Sequence, residues 1–131
     1  MPTRVPRERE SKVLRSIRIR LRHRFGIRLY RRSIGGRREG DRYIPFGRAG
    51  EADLYGFMPM SHQNRHIELE VKRPGNKPTP KQIAWLREMH ALGCISLWGD
   101  NVNDVERCFD AIMRGARVVW DDRDFWLELP P

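Results

Sequence analysis

Seven residues, Ile67-Glu68-Leu69-Glu70-Val71-Lys72-Arg73, constrain the fold of this chain more than any other stretch. In an extended strand, successive side chains point to opposite faces. Ile67, Leu69 and Val71 then form an apolar face that must be covered, and Glu68, Glu70 and Lys72 line the other. A shorter run upstream, Glu51-Ala52-Asp53-Leu54-Tyr55-Gly56-Phe57, alternates in the same way with Asp53 on its polar side. Residues 51–57 and 66–72 together predict a hairpin. With the loop centred between Ser61 and His62, Asp53 falls opposite Glu70, a pairing that brings Cβ atoms within about 4.5–5.5 Å.

At 131 residues, with 39% hydrophobic and 33% charged side chains, the chain is the size of one domain with a buried core. No apolar run approaches the roughly 18 residues of a membrane span, and no signal-peptide core is present. Two cysteines, Cys94 and Cys108, are too few for a disulfide framework and are expected to be reduced, in a cytoplasmic setting. The charge is lopsided. Residues 1–50 carry 16 Lys+Arg against 4 Asp+Glu, and residues 51–131 carry 10 against 13. A basic half beside an acidic half points to a polyanionic partner, with nucleic acid the leading class. Lysines occur only at 12, 72, 77 and 81. Lys72 therefore places a compact point charge, unlike the planar fork of arginine, inside the carboxylate strand.

Periodicity supplies the remaining elements. Residues 1–9 read as a loose basic terminus. A helix over 10–25 has Val13, Leu14, Ile17 and Leu21 on its buried stripe and Glu10 one turn before Leu14. That acid either complements the helix dipole or is aimed at a site. Gly26 ends the helix, and residues 27–34 predict a strand with Ile27, Leu29 and Arg31 on one face. Residues 35–50, with five glycines and Arg37, Arg38, Arg42 and Arg48, form a basic loop or ribbon. Its glycines serve either turns or close backbone approach to phosphate. Thr79-Pro80-Lys81-Gln82 is an N-cap, a first-position proline and a capping-box glutamine, opening a helix that Gly93 stops. Residues 94–98 form a buried strand. A further helix from Asp100 or Asn103 carries Val102, Val105, Phe109 and Ile112, and residues 118–127 form a terminal hairpin. The expected fold is an α/β sandwich around a small mixed sheet, in the order α-β-β-β-α-β-α.

Carboxylates beside open water positions suit a hard cation such as Mg²⁺ or Mn²⁺. Such an ion activates water and polarises a phosphoryl oxygen. Lys72 could orient or deprotonate that water, or offset charge in the transition state. His23, His62, His66 and His90 have no ligand spacing with the cysteines, which disfavours zinc. All four are expected at the surface or an interface. Glu68, one alternation step from Glu70, is expected as a supporting or exposed acid.

Four segments in order then resemble a known family: Glu10-Ser11-Lys12-Val13; Phe46-Gly47-Arg48-Ala49-Gly50-Glu51-Ala52-Asp53-Leu54; Glu68-Leu69-Glu70-Val71-Lys72; and Thr79-Pro80-Lys81-Gln82. They resemble the VRR-NUC (virus-type replication-repair nuclease) family of the PD-(D/E)XK superfamily, over about residues 10–112 of a single domain spanning 10–131. Ala52 departs from the proline of the superfamily name, at a position that shapes backbone and donates no ligand. The resemblance implies Asp53, Glu70 and the Val71 carbonyl as metal ligands, with Lys72 catalytic. It also implies Gln82 and Glu10 as supporting groups, Glu10 through a water. It further implies a homodimer that acts on branched DNA such as four-way (Holliday) junctions. Nucleoid association follows from that reading, with a bacterial or phage-encoded source open.

The expected function is thus a Mg²⁺- or Mn²⁺-dependent endodeoxyribonuclease. Arginines of the first helix, together with Arg31, Arg32, Arg37, Arg38, Arg42, Arg48, Lys77 and Lys81, would hold phosphates. Two alternatives share the chain's features: a nuclease fold kept as a nucleic-acid clamp without turnover, and a flap- or restriction-type nuclease with the same chemistry.

Overall fold

The computed structural model describes residues 9–32, 36–45, 47–48, 50–59 and 65–131. The expected loose terminus at 1–8, the hairpin loop around Ser61 and His62, and Phe46 and Ala49 lie outside those residues. In chain order the elements are α1 (Glu10–Phe25), β1 (Leu29–Arg31), β2 (Gly36–Glu39), β3 (Arg42–Pro45), β4 (Leu54–Phe57) and β5 (His66–Val71). They continue with α2 (Pro80–Ala91), β6 (Ile95–Gly99), α3 (Val102–Met113), β7 (Arg117–Trp120) and β8 (Phe125–Glu128). The class is α/β, with three helices around small sheets.

The main sheet has the order β1-β4-β5-β6. β1, β4 and β5 are antiparallel, and β6 returns parallel to β5 after α2. The register places Leu54 opposite Leu69 and Phe57 opposite His66. One further step sets Asp53 against Glu70, as the symmetric loop count predicts. β5 is buried along Ile67–Val71 on both of its faces. On one side Ile67, Leu69 and Val71 meet Val13, Ile17 and Leu21 of α1 and Val105 and Phe109 of α3 in a continuous apolar core. On the other, Trp85 and Leu86 of α2 pack with Ala52. A strand between two helical layers needs an answer for every polar group it carries, and β5 carries two glutamates.

Local chemistry explains the boundaries. Gly26 adopts the left-handed conformation (φ 70°) that closes α1, and its amide donates to the Arg22 carbonyl. Ile27 then returns its amide to Leu21 and is fully buried, so the strand expected from residue 27 begins at Leu29. Arg31, two residues on from Leu29 and opposite Leu54 in the register, is exposed at the end of β1. The capping box of α2 is complete: Gln82 donates its amide to Thr79 Oγ1, and Gln82 Oε1 accepts from the Thr79 amide. α3 is capped by Asn101, between the two expected starts. The basic stretch after β1 forms a two-stranded ribbon, β2–β3. The terminal hairpin β7–β8 is tied down by Trp120, which donates to the Ser96 carbonyl, and by Trp98, which donates to Asp124. No helix among the described residues is long and apolar enough to cross a membrane.

Candidate functional site

Three elements meet at the C-terminal end of β5. Asp53 lies just before β4, and its Oδ2 accepts from the Val71 amide at 3.0 Å, which locks the carboxylate across the end of β5. The Asp53 amide in turn points at Glu70 Oε2, 3.3 Å away. Glu70 Oε1 accepts from Gln82 Nε2 at 3.0 Å and has Lys72 Nζ at 3.9 Å. Glu10, in the first turn of α1, completes the group: one carboxylate oxygen from each of Glu10, Asp53 and Glu70 lies within 4.8 Å of the others. The five residues expected to carry chemistry are therefore linked through Glu70 and Asp53. Val71, expected to offer its carbonyl, contributes its amide as the anchor of Asp53.

Electrostatics follows from this crowding. Burial, reinforced by the Asp53 carboxylate, pushes Glu70 up to about 9, and Lys72 pulls weakly in the other direction. Glu10 is raised by burial and by Asp53 in the same way. Burial thus favours the protonated form of Glu70, and Lys72 offsets that only in part. A divalent cation would satisfy the same deficit, and the donors are the hard oxygens that Mg²⁺ and Mn²⁺ prefer. The thiols offer no competing chemistry. Cys94 and Cys108 are free, and burial raises both.

Glu68 behaves quite differently. It is buried completely and is not an exposed acid. Arg32 grips it with two bonds, Nη1 to Oε1 at 2.8 Å and Nη2 to Oε2 at 3.0 Å. Trp85 Nε1 donates to Oε1 at 2.7 Å, and His66 Nε2 lies 2.7 Å from Oε2. The guanidinium also faces the rings of Tyr55 and Trp85. Arg32, expected among the phosphate contacts, is instead a positioning residue. Its Nη1 also donates to the Ala52 carbonyl, and its amide donates to the carbonyl of Asp53. His66 is likewise half-buried against Glu68 and not a free surface histidine. One sequence signal for this arrangement exists. Gln82 and Trp85 are three apart on one helix face, and Glu68 and Glu70 are two apart on one strand face, so the two pairs can meet as two rungs.

The other expected phosphate contacts are dispersed. Arg37 and Arg38 lie on β2 and Arg42 on β3, all exposed. Arg48 sits over the Trp85 ring, 3.5 Å from Glu88. Lys77 and Lys81 are exposed around the start of α2, and Arg31 ends β1. No family model, curated protein or solved structure matches this chain.

Proposed function

We propose that the protein is a Mg²⁺- or Mn²⁺-dependent DNA endonuclease built on a PD-(D/E)XK-type core. The observation that carries this reading is the convergence of Asp53, Glu70 and Lys72 at one strand end, with Glu10 and Gln82 closing around them. The core order of helix, antiparallel strands, helix, parallel strand and helix is compatible with it, as is the basic amino half of the chain. Asp53, Glu70 and the Val71 carbonyl would hold the ion, with Glu10 reaching it through a water. When bound, the ion would polarise a phosphoryl oxygen and make a bound water nucleophilic. Gln82 fixes the orientation of Glu70, and Val71 and Arg32 fix Asp53. Lys72 brings an ammonium to the edge of the cluster, where it can stabilise charge that builds on phosphate oxygens. Branched DNA as substrate and a homodimeric assembly belong to the same proposal. Two facing sites would cut two strands symmetrically.

Incubation with labelled four-way junction, flap, duplex and single-stranded DNA in Mg²⁺ or Mn²⁺ tests the reading. Cleavage is expected to vanish in Asp53→Ala and Lys72→Ala, and cleavage that survives either substitution overturns it. The basic amino half equally suits a second reading, a nucleic-acid clamp without turnover. Mn²⁺ titration separates the two: only the nuclease requires binding that Glu70→Ala abolishes.

A further inference from the structure

The arginines of α1 fall into two stripes with opposite surroundings. Arg20 and Arg24 turn toward α3, where Arg20 bonds Glu106 and Arg24 bonds Glu106 at 2.6 Å and Asp110 at 2.8 Å. Arg15, Arg18 and Arg22, spaced i, i+3 and i+7 on another face, line a groove of about 540 Å³. Arg28 and Arg31 of the β1 segment form its opposite wall. Among the described residues no acidic side chain lines the groove, and none of its five arginines pairs with a carboxylate. The fold thus neutralises one stripe of a single helix and leaves the other stripe facing a second set of arginines.

We infer that this groove between α1 and β1 is the seat of a DNA strand's phosphodiester backbone and leads that strand to the carboxylate cluster. The identity of the polyanion as DNA rests on the proposed nuclease function; the charge of the groove does not. Guanidinium forks match phosphate oxygens two at a time, and all five basic groups here are arginines. The lining starts at Ser11, next to Glu10 of the cluster, and reaches Arg22. Eleven residue steps of helix span about 16 Å, and the five guanidinium groups along and across that length can neutralise at most about five phosphates. The groove, not the β2–β3 ribbon, is then the principal contact.

The test is binding without catalysis. Fluorescence anisotropy with a labelled 20-base-pair duplex, and with one of its strands alone, is measured in EDTA between 50 and 200 mM salt. At about 0.9 per neutralised phosphate for duplex and 0.7 for single strand, the five arginines limit the groove's share of the slope of log affinity on log salt to about −4.5 and −3.5. Arg15→Ala/Arg22→Ala is expected to flatten the duplex slope by about 1.8 and weaken binding about ten-fold or more at 0.1 M salt. Arg20→Ala/Arg24→Ala removes the same charge from the same helix and is expected to leave the slope near wild type. Equal losses in the two variants reduce the groove to a diffuse basic field and overturn the inference. So does unchanged DNA binding in Arg15→Ala/Arg22→Ala, including the case in which that variant instead dissociates a dimer of this chain. Because binding is read without metal, a wild type that binds through the groove yet cleaves none of the DNA panel in added Mg²⁺ or Mn²⁺ sinks the nuclease reading and leaves the groove standing.

Discussion

Replacing Arg32 by methionine tests how the buried half of the site is held. Methionine keeps most of the length of the side chain and its packing between Tyr55 and Trp85 but removes the guanidinium. Glu68 then loses two short bonds to Arg32 while it stays wholly out of water. Breaking a buried ion pair by deleting one partner typically costs about 3–5 kcal/mol. The low end applies, because Arg32 keeps 19% of its side chain exposed and Trp85 and His66 still reach Glu68. A loss of about 3 kcal/mol should lower the melting temperature by about 10 °C in a domain of this size. Urea unfolding followed by tryptophan fluorescence measures it, with Trp85 reporting directly on the network. Adding Glu68→Gln removes the stranded charge, so the double variant should recover about 1–2 kcal/mol. Arg32→Met should also weaken Mn²⁺ binding, since the Ala52 carbonyl loses its anchor next to Asp53. An Arg32→Met protein as stable as wild type, with only its DNA affinity reduced, refutes the assignment and restores Arg32 as a phosphate contact.

Three further outcomes follow from the same geometry. Glu70 stands at about 9 folded against 4.5 free, so between those values the folded chain holds a proton that the unfolded chain has released. Stability therefore falls as pH rises through that window. Urea midpoints of the metal-free protein should decline from pH 5 to pH 8.5, Glu70→Gln should flatten the decline, and Mn²⁺ should stabilise more at the higher pH; a wild-type decline as shallow as that of Glu70→Gln counts against the assignment. Thr79→Ala and Gln82→Ala should each cost about 1 kcal/mol through the shared cap. Only Gln82→Ala should shift Mn²⁺ affinity, measured by calorimetric titration, because only Gln82 also bonds Glu70. In Gly50→Ala, a Cβ would stand 2.5 Å from the Lys81 carbonyl oxygen on a backbone with φ +87°. A cost of about 2 kcal/mol or more and a displaced Asp53 segment should show in denaturation and in Mn²⁺ titration alike.

The local features were legible in the sequence and the distant ones were not. Thr79, Pro80 and Gln82 define a cap within four residues, and the loop symmetry that pairs Leu54 with Leu69 needs only counting. Asp53 and Glu70 met because strand alternation and that register admit few alternatives. Alternation leaves Glu68 open between a supporting and an exposed acid because its surroundings are assembled from afar: Arg32 lies 36 residues back and Trp85 17 ahead. The arginines of α1 are identical on paper, and only the arrival of α3, 86 residues from Arg20, divides them. Alternation also described β5 as having a polar face without telling that α2 would cover it.

The two glutamates of β5 answer burial in different ways. Glu68 has its counter-ion written into the chain, in the two-pronged grip of Arg32. Lys72 stands 3.9 Å from Glu70 and offsets only part of the burial that pushes this carboxyl up. Two acids equally withdrawn from water, two residues apart on one strand, are thus held by different means: a fixed guanidinium for one, and for the other a more distant ammonium that offsets only part of its burial.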